Sequence, residues 1–480
     1  MEQVYSIAGL LFAVFYWLLT IAVTMRVIAR RRPVSVTLAW LLVIFVLPVL
    51  GALLYLLIGE LNLGRARAQR AAAMVDPYLD NLSSRFKGGR GPLPGGQLAL
   101  GIHQLLANRV GIGAMQYDSL QLLDDPQRIF SRLCADVREA QHSIRIVTYI
   151  WHPGGRADAL AQALIDASRR GIEVSLLIDH AGSRAFFRSH WRRDMVQAGI
   201  QVVPALPVRL WRVLFHRMDL RMHRKLVVID DQLAWCGSMN IADPEVFRKG
   251  SRHAPWVDML LRIQGPGATG LAKVFAWDWE VETGQRRLPE HYAENLPCNR
   301  WMSILPSGPG FADDLISQAV LSSIHRANDS IVICTPYFVP SEAIFDALCH
   351  AARRGVQVTL LLPRHNDSMM VGWASRSYFE PLLQAGGRIM LYPHGLLHTK
   401  AMLMDNQLAL VGSVNLDIRS LQLNFELTVA LFTPEGCAEI KRLLDGYREA
   451  SQPLDLQRWS ARGKPARALE RLMYLLSPLL

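Results

Sequence analysis

The chain has 480 residues, 51% of them hydrophobic and 19% charged, with a formal charge of +11 and a pI near 9.6. That length allows two or three domains with sizeable cores, and it argues against a small scaffold held by disulfides. The basic balance favours an anionic partner, either a nucleic acid or an acidic membrane surface, without choosing between them. Cys134, Cys236, Cys298, Cys334, Cys349 and Cys437 show no CxxC pair and no histidine at ligand spacing, so buried thiols are expected.

Residues 6–25 form an apolar run without a charge and residues 34–58 form a second, each long enough to cross a hydrocarbon core of about 30 Å. Together they predict a transmembrane hairpin over 1–60. The start Met1-Glu2-Gln3 lacks the basic region of a cleaved signal. Arg26, Arg30, Arg31 and Arg32 lie between the runs, while Arg65, Arg67 and Arg70 follow the second, so the positive-inside rule pulls both ways. Pro48 and Gly51 inside the second run allow a kink or a re-entrant segment. Residues 61–100 turn to Arg, Ala and Gln and then to Lys87-Gly-Gly-Arg-Gly-Pro-Leu-Pro-Gly-Gly96, a composition that predicts a linker.

From there the chain repeats itself, with one half over 101–290 and the other over 291–480. Ser143-Ile-Arg-Ile-Val-Thr-Tyr149 matches Ser330-Ile-Val-Ile-Cys-Thr-Pro-Tyr337. Ala167-Ser-Arg-Arg-Gly171 and Ala351-Ala-Arg-Arg-Gly355 each predict a helix ending at a glycine before a buried strand. Strands alternating with helices imply an α/β architecture with a largely parallel central sheet flanked by helices. The first half also carries a basic, aromatic insertion over 208–220. This insertion and the apolar tail from Leu469 are candidates for an interfacial element, and both are equally compatible with packing on the protein.

Each half contains one motif. The first is His223-Arg-Lys225-Leu-Val-Val-Ile-Asp230, followed after six residues by Gly237-Ser238-Met239-Asn240. The second is His398-Thr-Lys400-Ala-Met-Leu-Met-Asp405, followed after six by Gly412-Ser413-Val414-Asn415. On an extended strand His and Lys project from one face, and the aspartate falls at the following turn. Histidine suits both attack on phosphorus and protonation of a departing alkoxide. Two lysines and two asparagines supply donors for the non-bridging oxygens. Two half-sites building one phosphodiester site is therefore the expectation. This inventory calls for no metal or other cofactor.

The paired HxKxxxxD and GSxN motifs resemble those of the phospholipase D superfamily, and within it the bacterial cardiolipin synthases. Thr148-Tyr-Ile-Trp151, Pro306-Ser-Gly-Pro-Gly310, Thr335-Pro-Tyr-Phe-Val-Pro340 and Asn415-Leu-Asp-Ile-Arg-Ser-Leu-Gln-Leu-Asn-Phe-Glu426 extend the resemblance over essentially the whole chain. It implies two phospholipase D-like repeats packed around one shared cleft, in a bacterial inner-membrane protein. The implied reaction transfers a phosphatidyl group between two phosphatidylglycerols, giving cardiolipin and glycerol through a phosphohistidine; the motifs equally permit a phospholipase D-type hydrolase or a phosphatidyltransferase with a different acceptor alcohol. Membrane lipids, not nucleic acid, would then be the anionic partner. His223 is implied as nucleophile and His398 as general acid and then base. A carboxylate outside each motif is implied to hold each imidazole: Glu426 in the second half and Asp258 as its counterpart in the first. Asp230 and Asp405 complete the motifs and are expected to brace the strand turn and the lysines. Ser238, Ser413, Asn240 and Asn415 are supporting residues.

Overall fold

The computed structural model describes residues 2–30, 34–59, 67, 69–71, 95–111, 113–207, 220–289, 299–311 and 314–475. The first apolar run is one helix, Glu2–Ala29. Its stretch Gly9–Ala29 is, among the described residues, the one helix long and apolar enough to cross a membrane. Leu10, Leu11, Phe15, Trp17 and Leu18 are exposed on it, an apolar surface suited to lipid.

The second run is not one rod. It forms Val34–Val46, breaks at Leu47, and resumes as Pro48–Leu54 and a wide turn at Tyr55–Gly59. Pro48 has no N–H with which to carry the helix on. Gly51 lies so close to the Val43 carbonyl that a Cβ there would collide. The Trp40 and Tyr55 rings meet at 5.3 Å between centroids, whereas a continuous helix would hold them about 22 Å apart. The expected pair of spans thus becomes one crossing-length helix with a folded-back segment packed on it through Val23, Val27, Trp40, Ile44 and Tyr55.

Each repeat carries one mixed sheet. The first has seven strands in the order Ser119–Leu123, Leu260–Gln264, Leu233–Gly237, Leu226–Ile229, Ser143–Thr148, Glu173–Asp179, Gln201–Ala205. The second has nine: Met115–Gln116, Trp301–Ser307, Glu426–Leu431, Leu408–Gly412, Ala401–Met404, Ser330–Cys334, Gln357–Pro363, Arg388–Tyr392, Gln452–Pro453. Only the last three strands of the first order, and their counterparts in the second, pair in parallel. Those are the strands joined by helices, such as Arg156–Arg169, which ends against Gly171 at φ 92°. The other pairings are antiparallel, so the sheets are mixed with less parallel character than the strand-helix alternation suggests. The reason lies in the motifs. After each one the chain reverses at once through Asp230-Asp231 or Asp405-Asn406, all with φ between 51° and 57°. Two left-handed residues in succession make a tight hairpin, and Asp and Asn tolerate that conformation better than most.

The two sheets share one core, in which Val147, Leu226, Val228 and Ile263 of the first join Ile304, Leu403, Val411 and Val429 of the second. Helices cover the outer faces. Pro126–Glu139, capped by Asp125 on the Arg128 N–H, buries Ile129, Phe130, Leu133 and Val137 on the first sheet. Gly96–Val110 starts within the stretch expected to be linker and packs Leu98, Ile102 and Leu106 into the second repeat. The tail helix Lys464–Leu475 also docks there: Met473 lies on that core, and Ser377 donates to the Glu470 carbonyl at 2.8 Å. Residues 208–219, most of the basic insertion, lie outside the described residues. Cys134, Cys236, Cys334, Cys349 and Cys437 are buried free thiols, as expected; Cys298 lies outside the described residues.

Candidate active site

The two motifs come together because each is pinned to the opposite repeat. Met222 bridges Phe425, and the His223 N–H donates to the Phe425 carbonyl at 2.9 Å. Symmetrically, Leu396–Leu397 pairs in parallel with Trp256–Val257, and the His398 N–H donates to the Val257 carbonyl at 2.8 Å. The residue after each accepting carbonyl is a carboxylate. Glu426 Oε2 lies 2.9 Å from His223 Nδ1, and Asp258 Oδ1 lies 2.7 Å from His398 Nδ1. This corrects the expected pairing, because each carboxylate holds the imidazole of the other half rather than its own. The exchange follows from backbone register, which sequence spacing does not reveal.

With Nδ1 occupied, Nε2 of each ring is the nitrogen left for chemistry. Burial, reinforced by Lys225 and Lys400, pushes both imidazoles down to about 4 despite their carboxylates, so both are neutral near pH 7. Burial raises the Asp258 carboxyl, but His398, Lys400 and Ser238 outweigh it and hold it at about 2. Glu426 is likewise lowered on balance, with His223, Lys225 and Ser413 opposing its burial. Lys225 and Lys400 are depressed by burial to about 7 and about 8. Two nearly dry ammonium groups beside two neutral imidazoles make a site that favours an anion.

The supporting residues tie this centre together. Ser413 Oγ donates to Glu426, while the Leu427 N–H donates to Ser413 at 3.0 Å. Ser238 sits equivalently, receiving the Met259 N–H at 3.1 Å and hydrogen-bonding Asp258. Lys225 and Lys400 each donate to the carbonyl of their own motif's histidine, which aligns the ammonium with the imidazole. Asn240 accepts from the Ile150 N–H at 3.2 Å, and its buried amide nitrogen has no partner among the described residues. Asn415 Nδ2 meets Ser420 Oγ at 3.2 Å.

Asp230 and Asp405 are not brought to the centre. Asp230 accepts the N–H groups of Gln141, His142 and Ser143, and Asp405 those of Asn328, Asp329 and Ser330, each at 2.8 or 2.9 Å. They brace the turns, as expected, but by tying each hairpin to the start of its neighbouring strand and not by touching the lysines.

Three contacts escaped the sequence reading. Tyr149 lies 4.9 Å from the His223 ring and Trp256 lies 4.3 Å from the His398 ring, so an aromatic face flanks each imidazole. Tyr149 stands in the quoted string Thr148-Tyr-Ile-Trp151 and Trp256 two residues before Asp258, which was their only signal. The third is Arg224, fully buried between His223 and Lys225 in sequence. It pairs with Asp278 at 2.9 Å and donates to the carbonyls of Glu426 at 2.8 Å and Ser307 at 3.2 Å. Thr399 occupies the matching place in the second motif, so this strut exists once.

Residues 133–279 and 320–447 match the family model described as cardiolipin synthase, phospholipase D-like domain, and residues 18–60 match that of the phospholipase D-nuclease N-terminal region. Cardiolipin synthase A of Klebsiella pneumoniae (strain 342) is 44% identical over 491 residues, covering 100% of both chains. The chain belongs to the cardiolipin synthase family of the phospholipase D superfamily. Cardiolipin synthase A of Cronobacter sakazakii is also 44% identical, again with full coverage of both chains. Membership makes this cardiolipin synthase family protein an enzyme, a phosphatidyltransferase associated with the membrane. Among solved structures, phosphatidylserine synthase of Haemophilus influenzae aligns with a TM-score of 0.59 at 14% identity, covering 80% of this chain and 100% of its own. At that identity the likeness speaks for the fold.

Proposed function

We propose that the chain transfers a phosphatidyl group from one phosphatidylglycerol to another through a phosphohistidine on His223. His223 Nε2 attacks the donor phosphorus while His398 gives a proton to the departing glycerol oxygen. A hydroxyl of the second phosphatidylglycerol then enters. His398 takes its proton, the new P–O bond forms, and the P–N bond breaks. One phosphodiester is exchanged for another, so no outside energy source is needed. Lys225, Lys400, Asn240 and Asn415 hold the non-bridging oxygens, and Glu426 and Asp258 steady the two imidazolium states.

The observation that carries this reading is the crossed pair of buried imidazole-carboxylate contacts. It occupies both Nδ1 atoms and leaves both Nε2 atoms for chemistry, while burial and the two lysines keep the rings neutral before substrate arrives. A bound phosphodiester anion offsets part of the ammonium charge that, after burial, depresses His398, which raises its affinity for the proton it must deliver. The seat is the bacterial inner membrane. The multi-pass reading narrows to Glu2–Ala29 as the crossing helix, with the folded-back 34–59 beside it.

The test is a product assay on phosphatidylglycerol vesicles by mass spectrometry. Cardiolipin and glycerol are expected, and phosphatidic acid without cardiolipin would sink the proposal. His398→Ala should trap a phosphatidyl adduct that His223→Ala cannot; the opposite pattern would reverse the two roles.

A further inference from the structure

Making cardiolipin requires two phosphate groups in one cleft, one on the phosphorus that reacts and one on the lipid that accepts. The two motifs are near copies, and in the reaction proposed above their histidines, lysines and asparagines all serve the one phosphate that reacts. The second phosphate, one glycerol away, must be met by groups outside the repeat pattern.

Three arginines fit that description. Arg221 stands two residues before His223, and the Phe425 N–H donates to its carbonyl at 3.0 Å. Arg419 is the second residue of the short helix Ile418–Gln422 after the second motif, where the first half has Pro244. Arg248 lies in an extra length of loop: Asp258 stands 18 positions after Asn240, but Glu426 only 11 after Asn415.

All three charges act on one phenol. Burial raises the Tyr149 phenol and Asp179 adds to that, while Arg221, Arg419 and Arg248 each pull it back. Tyr149 is the ring against His223, and Lys225 Nζ lies 5.5 Å from its centroid. Arg248 is placed from the other side as well. Its guanidinium sits 5.5 Å from the Trp256 centroid, and Trp256 lies against His398. Asp367 of the second repeat holds Arg248 at 2.9 Å, and the Tyr337 hydroxyl donates to Asp367 at 2.7 Å. Arg248 adopts φ 54°, a costly conformation for arginine, and its side chain remains 46% exposed. The Arg248 guanidinium therefore stands one aromatic ring beyond the His398 imidazole, and Arg221 and Arg419 lie two residues before His223 and four after Asn415. Planar guanidinium forks match phosphate oxygens in pairs.

We infer that Arg221, Arg248 and Arg419 bind the phosphate of the acceptor phosphatidylglycerol, and so select a lipid rather than water or a simple alcohol as the group that resolves the intermediate. The inference rests on the transfer reaction proposed above. It separates from that reaction because a phosphatidyl-enzyme can also be resolved by free glycerol, which regenerates phosphatidylglycerol and has no phosphate to bind.

The experiment measures two rates on the same phosphatidylglycerol vesicles with the full chain: cardiolipin formation, and incorporation of labelled glycerol into phosphatidylglycerol. Arg248→Gln and Arg419→Gln should each slow cardiolipin formation about 10- to 100-fold, as expected for one lost charge-assisted phosphate contact, and leave glycerol exchange within about twofold of wild type. Exchange also reports that the variant is folded and reaches its donor lipid. Equal loss of both rates, or unchanged cardiolipin formation, overturns the inference. His223→Ala should abolish both rates, and exchange surviving in that variant would instead overturn the transfer mechanism.

Discussion

The crossed carboxylates make a prediction that depends on which imidazole each one serves. Glu426 is fully buried, 2.9 Å from His223 Nδ1, with Ser413 and Asn424 on its remaining positions. When His223 attacks phosphorus its ring becomes cationic, and a carboxylate stabilises that charge where an amide cannot. Replacing a charged hydrogen-bond acceptor by a neutral one forfeits about 1–2 kcal/mol. The lost ion-pair attraction, for charge centres about 4 Å apart, adds up to about 4 kcal/mol at an effective dielectric near 20. Together these predict that Glu426→Gln slows adduct formation by about 10²- to 10⁴-fold. Asp258→Asn should slow the natural reaction comparably, because His398 then loses support for its proton.

Leaving-group chemistry separates the two. A nitrophenyl ester of the phosphatidyl group departs without protonation, so a defect in the acid disappears while a defect in the nucleophile remains. In stopped-flow measurement of the nitrophenol burst, Glu426→Gln should stay slow and group with His223→Ala. Asp258→Asn should return to within about tenfold of wild type and group with His398→Ala. If Glu426→Gln instead behaves like His398→Ala, each carboxylate serves its own repeat and the crossed arrangement is refuted.

Other expectations follow from the same geometry. Phosphate binding needs both ammonium groups, whose values sit near 7 and 8, so kcat/KM should fall as pH rises through that range, and again as pH falls toward 4, where the nucleophile takes up a proton; a profile flat to pH 10 contradicts the buried lysines. Asp230→Ala removes the acceptor for three N–H groups at a left-handed residue, and should cost about 2 kcal/mol of stability because two of those amides can turn to water. Asp230→Asn should recover much of the loss in thermal unfolding, with kcat of the folded fraction unchanged in both variants. Arg224→Met strands the buried Asp278 carboxylate and should destabilise by about 3–5 kcal/mol. A double Arg224→Met, Asp278→Leu variant should regain most of that stability in denaturant unfolding, yet turn over more slowly, since the tie from Arg224 to the Glu426 carbonyl is gone.

Much of this protein was legible before any coordinates, for a physical reason: the repeat writes the same chemistry twice, and period-two strands with Gly-terminated helices fix the elements around it. His223, Lys225, His398 and Lys400 could be singled out from the repeated spacing alone, although each pair stands just before its strand, Leu226–Ile229 or Ala401–Met404, and not on it. What spacing could not carry is pairing between distant segments. The antiparallel majority of each sheet depends on two left-handed residues after each motif, and an aspartate pair such as Asp230-Asp231 is a weaker turn signal than glycine. The folded-back membrane segment depends on Pro48 and Gly51 acting together, and either alone is compatible with a kinked span.

The exchange of carboxylates shows why that missing information matters for function. Had Glu426 served His398 and Asp258 served His223, each half would hold a complete imidazole-carboxylate pair, and the halves would only need to lie near one another. With the pairs crossed, neither half has a supported histidine until Met222 meets Phe425 and Leu397 meets Val257. Docking of the repeats and assembly of the catalytic centre are then one event, and the strut from Arg224 to the Glu426 carbonyl fastens it on one side only. That single-sided strut, with Arg248 and Arg419 also lacking counterparts, gives two near-identical motifs different surroundings, which is what a reaction needing one nucleophile and one acid requires.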